Sequence, residues 1–174
     1  MLIITQIISK CMSAKIKNRY RLKSKEIKEI TRTLKNKFSS DFFDSSSSVE
    51  IGDLEGFKVI LVDNEIDFMI HEDNIVFTVR GLSKYTPKEY FVVVDMGAVG
   101  FVTKGADVMA PGIVDADERI QKSDYVWICD ETHRKPLAVG MALMTGEEMK
   151  SKKTGKAIKN IHYVGDKLWN LSDI

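Results

Sequence analysis

The sequence predicts an α+β protein of two domains, residues 1–88 and 89–174, the second of them a small β barrel. Three observations predict it. One stretch of helical periodicity, Ile27, Ile30, Leu34 and Phe38, precedes a series of short β-type runs. After Tyr90 those runs shorten and glycine-containing turns separate them. A length of 174 residues at 44% hydrophobic content suits one large domain or two small ones.

The helix is expected from Ser24 to Phe38, with Ser24 as N-cap and Glu26 in the first turn, where a carboxylate suits the helix dipole. Its apolar stripe turns Lys25, Lys28, Arg32 and Lys35 toward solvent. Asp41 to Asp44 and the serines 45–48 then read as a loop. Strands are expected at Val49 to Ile51, Phe57 to Val62, Ile66 to Ile70 and Asn74 to Val79, with hairpin turns at Asp63-Asn64 and Glu72-Asp73-Asn74. Leu82 to Tyr85, before Pro87, reads as a short connector helix or turn. The second domain is expected to hold strands at Phe91 to Val94, Gly100 to Thr103, Asp107 to Met109, Tyr125 to Cys129, Leu137 to Ala142 and His162 to Val164. A helix from Gly146 to Lys153, capped by Thr145, interrupts them.

Composition excludes several classes. Three prolines and 11 glycines argue against a collagen-like or low-complexity chain, and the apolar content argues against disorder. The longest apolar runs, such as Phe91 to Val94 and the broken stretch from Leu2 to Ile8, fall far short of the roughly 20 residues of a bilayer-spanning helix. Leu2 to Ile8 has neither a basic leader before it nor a small-x-small site after it, so a cytoplasmic protein without membrane contact is expected. Cys11 and Cys129 are too far apart in sequence, and too few, to suggest a disulfide framework or a cysteine zinc site.

The net charge of +1 conceals segregation: residues 1–38 carry eleven bases against two acids, and residues 39–76 one base against ten acids. Two readings stand, a nucleic-acid-binding face or mutual neutralisation of neighbouring segments. His71, His133 and His162 are scattered, no phosphate-binding glycine fingerprint occurs, Asp115, Asp117 and Glu118 read as an acidic surface loop, and Cys129 sits in an apolar strand. No autonomous catalysis, cofactor or metal is expected.

Val94-Asp95-Met96-Gly97-Ala98, Phe101-Val102 and the run from Lys104 to Ile113 resemble the opening half of the PUA domain, a small RNA-binding pseudobarrel. Ala138-Val139-Gly140 and Gly155-Lys156-Ala157 are similar to its second half. The ending from Asn160 to Trp169 resembles that of the malignant T-cell-amplified sequence proteins and their archaeal relatives, in which an α+β pre-PUA domain precedes the PUA domain.

The resemblance implies an RNA cleft with Lys104, Gly105, Ala106, Asp107, Val108 and Met109 on one side and Ile161, His162 and Tyr163 on the other. Read from the residues alone, Gly105 and Gly112 also suit ordinary barrel turns. Lys150, Lys152, Lys153, Lys156 and Lys159 form a dense basic run suited to phosphate neutralisation, although lysine runs also serve as plain solvated surface. Tyr163 is a stacking candidate or a half-buried strand residue. Arg119 is a further phosphate candidate inside an acidic loop, and Trp169 reads as packing. The expected partner is RNA, tRNA or rRNA, with the tRNA acceptor end as target and the first domain docking on the small ribosomal subunit or a protein. Two alternatives are an RNA-targeting accessory module for a modification enzyme, since PUA domains are also attached to enzymes such as archaeosine tRNA-guanine transglycosylase, and a protein-interaction module without RNA.

Overall fold

The computed structural model describes residues 15–171. The expectations for Leu2 to Ile8 and Cys11 lie outside the described residues. The first half runs β1 (Lys17–Arg21), α1 (Ser24–Phe38), β2 (Val49–Leu54), β3 (Phe57–Val62), β4 (Glu65–His71), β5 (Asn74–Phe77) and α2 (Val79–Tyr85). Its five strands form an antiparallel sheet in sequence order. Asp63-Asn64 and Glu72-Asp73 carry positive φ, the conformation that two-residue hairpin turns require.

Three expectations for this half need correction. Lys23, not Ser24, is the N-cap of α1: its backbone N–H donates to the Glu26 carboxylate at 2.8 Å, so Ser24 is the first helical residue. The expected fourth strand stops at Phe77, because Thr78 caps α2 by accepting the Gly81 N–H at 3.0 Å and Val79 opens that helix. Strand β1 was not expected, since all five of its residues are exposed and carry no apolar alternation.

The second half runs β6 (Phe91–Val94), α3 (Met96–Val102), β7 (Val108–Met109), β8 (Ile113–Ala116), β9 (Tyr125–Asp130), β10 (Pro136–Ala142), α4 (Gly146–Ser151), β11 (Lys156–Tyr163) and α5 (Lys167–Leu171). The strands take the order β7-β11-β10-β9-β6-β8 in a nearly closed barrel, with β6 and β9 parallel. The segment Gly100 to Thr103, expected as a strand, is instead the end of α3. The Asp95 carboxylate accepts the Ala98 N–H at 2.8 Å and starts this helix despite its two glycines and its branched and aromatic residues. Thr145 caps α4 as expected, accepting the Glu148 N–H while Glu148 accepts that of Thr145.

Side-chain alternation explains why the central barrel strands read as continuous apolar runs. In β9, Val126 and Ile128 point into the barrel, while Tyr125, Trp127 and Cys129 point outward into the core of the first half. Val93 on β6 and Val139 on β10 do the same. These outward residues join Leu34, Phe38, Phe68 and Phe77 in one apolar cluster, with α5 adding Leu168. Polar contacts cross the same junction: the His71 ring nitrogen lies 2.8 Å from the Tyr125 hydroxyl, and Lys37 donates to the Tyr125 carbonyl at 3.3 Å. Burial pushes the Cys129 thiol up to about 11, as suits a core cysteine.

The charge segregation resolves partly into neutralisation. Basic β1 lies beside acidic β2, where Arg19 pairs with Glu50 and Asn18 donates to Asp53 at 2.8 Å. Lys35 reaches Asp41 at 2.7 Å.

Candidate nucleic-acid interface

The end of α3, the turn that follows it and strand β11 build one corner of the barrel. Gly105 sits at φ +86°, with its N–H donating to the Val102 carbonyl at 3.0 Å. A Cβ placed there would lie 2.7 Å from the Tyr163 ring, so glycine is required both for the backbone conformation and for the approach of that ring. The turn and the strand implied as opposite walls of a cleft therefore touch.

Asn160 on β11 locks the turn. Its side-chain amide donates to the carbonyls of Val102 and Ala106, each at 3.1 Å, and its backbone N–H donates to Asp107 at 2.8 Å. Lys156 approaches the other Asp107 oxygen at 2.7 Å. The Lys156 ammonium and the Asn160 N–H hold the Asp107 carboxyl below the usual carboxylate range. Sequence reasoning did not single out Asn160; its place on β11 and its reach to the turn arise from pairing distant in sequence.

Beside the turn lies an apolar depression of about 300 Å³, lined by Phe101, Val102, Ala106, Asp107, Met109 and Gly112. Phe101 is 67% exposed and Met109 49%, two large apolar side chains that line this depression and stand open to solvent. Phe101 was missed as a surface residue because its segment was read as a strand. Chemically the corner offers flat apolar contact beside a carboxylate and lysines, a combination that suits an unstacked base with its backbone nearby.

The other expected site residues divide. Lys104 and Ala106 are exposed at the turn, and Val108, though buried, lines the floor of the depression. His162 is also buried, and this corrects its expected place on a cleft wall. It pairs with Val139, whose side chain faces the first half, and so turns the same way. Its Nδ1 lies 2.7 Å from Asp166, which also accepts the backbone N–H groups of Tyr163 and Trp169.

Three of the five clustered lysines carry acidic partners: Lys150 with Glu118 at 2.6 Å, Lys152 with Glu148 at 2.8 Å, and Lys156 with Asp107. Among the described residues, Lys153 and Lys159 have no ion-pair partner. Arg119 stands 3.7 Å from Glu89 and 3.9 Å from Asp117, facing its own acidic loop. Trp169 packs as expected, with the Arg80 guanidinium 4.3 Å from its ring centre. Among the described residues no group of three or more metal-ligating side chains occurs, and no helix is long and apolar enough to cross a membrane.

The family model described as PUA domain matches residues 90–164, and the one described as domain of unknown function DUF1947 matches residues 18–85. The chain is 48% identical to an uncharacterized protein of Methanocaldococcus jannaschii, over 89% of this chain and 97% of that one. It is 31% identical to Translation machinery-associated protein 20 of Saccharomyces cerevisiae, over 86% of this chain and 92% of that one. The crystal structure of a hypothetical protein from Pyrococcus horikoshii superposes with a TM-score of 0.80 at 38% identity, covering 88% of this chain and 99% of that one.

Proposed function

We propose that this chain, which belongs to the family of the translation machinery-associated 20 and malignant T-cell-amplified sequence proteins, in which a DUF1947 (pre-PUA) region precedes a PUA domain, is an RNA-binding protein of translation. The observation that carries the reading is the locked Gly105 turn, with Tyr163 against it and exposed Phe101 and Met109 beside it. A depression of about 300 Å³ suits a single unstacked nucleotide rather than a duplex, which favours an RNA end such as the tRNA acceptor end. Lys104, Lys153 and Lys159 supply phosphate contacts, with Lys150, Lys152 and Lys156 exchanging their carboxylate partners for phosphate. Val108 and His162 act from beneath by shaping the corner. Residues 1–88 dock the protein on the small ribosomal subunit or a protein partner, and the name of the yeast relative supports the link to translation. The chain works without chemistry of its own.

The test is a titration with intact tRNA, the same tRNA trimmed at its 3′ end, and an unrelated hairpin, each at two salt concentrations. Preference for the intact end that survives moderate salt is expected. Phe101→Ala should cost roughly tenfold or more in affinity, in line with about 1–3 kcal/mol per stacked base. Replacing Lys152, Lys153 and Lys156 together by Ala should flatten the log–log salt dependence by about 2. Equal, steeply salt-dependent binding to all three RNAs would overturn end recognition.

A further inference from the structure

We propose that the sheet face beside α1 is a docking groove for a basic amphipathic helix of a protein partner. The inference rests on the reading that residues 1–88 dock a partner, and it is independent of the RNA corner.

A row of apolar side chains, Tyr20, Ile51, Ile60, Ile70 and Ile75, crosses all five strands and floors a groove of about 410 Å³ that α1 walls on one side. Four inter-strand spacings of about 4.8 Å make this row roughly 19 Å long, the length of about 13 helical residues. Tyr20 is 56% exposed, Ile51, Ile70 and Ile75 are half-buried and only the central Ile60 is buried, so the floor is unfinished as a core on both sides of its centre. An apolar floor of this length beside a helix is what a second helix covers.

Charge selects the occupant. Helix α1 sorts its ionic residues: Glu26 and Glu29 face the groove, whereas Lys28, Arg32 and Lys35 line a separate depression of about 350 Å³ on the other side. Asp73, on the β4–β5 turn, adds a third acid to the groove rim. Among the described residues neither Glu29 nor Asp73 has an ion-pair partner. The base that also lines the groove, Lys37, is turned inward, with its ammonium 4.6 Å from the Tyr90 ring centre and a hydrogen bond to the Tyr125 carbonyl. The rim therefore attracts lysine or arginine flanking an apolar stripe and repels the phosphates of RNA.

The test uses the full chain and two fluorescein-labelled 18-residue helical probes, one of leucine and lysine, the other of leucine and glutamate. Anisotropy should show the lysine probe binding at least tenfold tighter than the glutamate probe. Glu29→Lys with Asp73→Lys should weaken the lysine probe at least tenfold, with the melting temperature and circular dichroism confirming that the exposed double variant folds. A second variant, Ile75→Lys, should weaken it similarly, while Lys28→Ala with Arg32→Ala should not. Unlabelled tRNA should leave the probe bound, whether or not tRNA binds elsewhere. Equal binding of both probes, or indifference to the double charge reversal, would overturn the proposal. Displacement by tRNA would overturn it in favour of an RNA surface.

Discussion

The five-stranded sheet and the barrel build their walls in opposite ways. In the sheet every strand pairs with its neighbour in sequence, with short hairpin turns joining β2 through β5 and the connection through α1 joining β1 to β2. In the barrel β6 lies between β8 and β9, antiparallel to one and parallel to the other, and β7 pairs with β11 across most of the domain. The sheet can therefore form from local instructions, whereas the barrel depends on contacts between distant backbones. The difference teaches where to probe each half: both press a helix glycine against another backbone, Gly81 against Asp67 and Gly146 against Asp117, and the sheet half adds a buried ionic tie at Asp67.

The largest effect is expected at Gly146, the first residue of α4. A Cβ there would lie 2.0 Å from the Asp117 carbonyl oxygen, which belongs to the connection preceding β9. Gly146→Ala should cost about 3 kcal/mol or more, measured by urea unfolding, because backbone rather than a flexible side-chain end must yield. A loss under about 1 kcal/mol would mean that this backbone contact gives as easily as a loop.

Next comes Asp67, 1% exposed on β4, which accepts from the Tyr85 hydroxyl at 2.6 Å and from Lys84 at 2.9 Å. Burial raises its carboxyl, and those two donors counter the rise only in part. Asp67→Ala should cost about 2 kcal/mol, since Lys84 is partly exposed and keeps Glu65 at 2.7 Å. Because one apolar cluster runs through both halves, the fluorescence of Trp127 in the barrel, read in a Trp169→Phe background, should report this loss at the same urea concentration as far-ultraviolet circular dichroism. Separated transitions would show two independently melting halves.

The smallest effect is expected from acid. Burial would raise the Asp166 carboxyl, but hydrogen bonds from His162 and the Trp169 N–H more than reverse this, and its pKa lies below the usual value. A depressed carboxyl contributes stability above its unfolded pKa and loses it as pH falls through the folded one. Acidification below about pH 4 should thus weaken the start of α5, and Asp166→Asn should flatten that part of the stability profile. An unchanged profile would remove Asp166 from the account.

The sheet was the more legible half for the same reason that it is the simpler one. The stripe on α1 and the two turn pairs are local signals, and both appear in the structure. Strand β1 was illegible because it is an edge strand of charged residues, recruited by Arg19 and by the backbone of β2 rather than by any pattern of its own. Helix α3 was misread because Gly97, Val99, Gly100 and Phe101 are poor helix formers, and a single Asp95 cap outweighed them. That error also hid Phe101 from the candidate site. The Gly105 turn was visible through family resemblance, but Asn160 was not, because its work is done across strands whose pairing no local pattern announces.

Strand β9 has one further consequence. Its Tyr125, Trp127 and Cys129 finish the interior of the other half of the chain, so this wall has no weatherproof side. A barrel cut away at residue 89 would bare an aromatic surface to water and become adhesive, however intact its own interior remained. The corner around Gly105 is thus not a portable cassette: transplanting it requires either repainting that wall with polar residues or carrying the neighbour along.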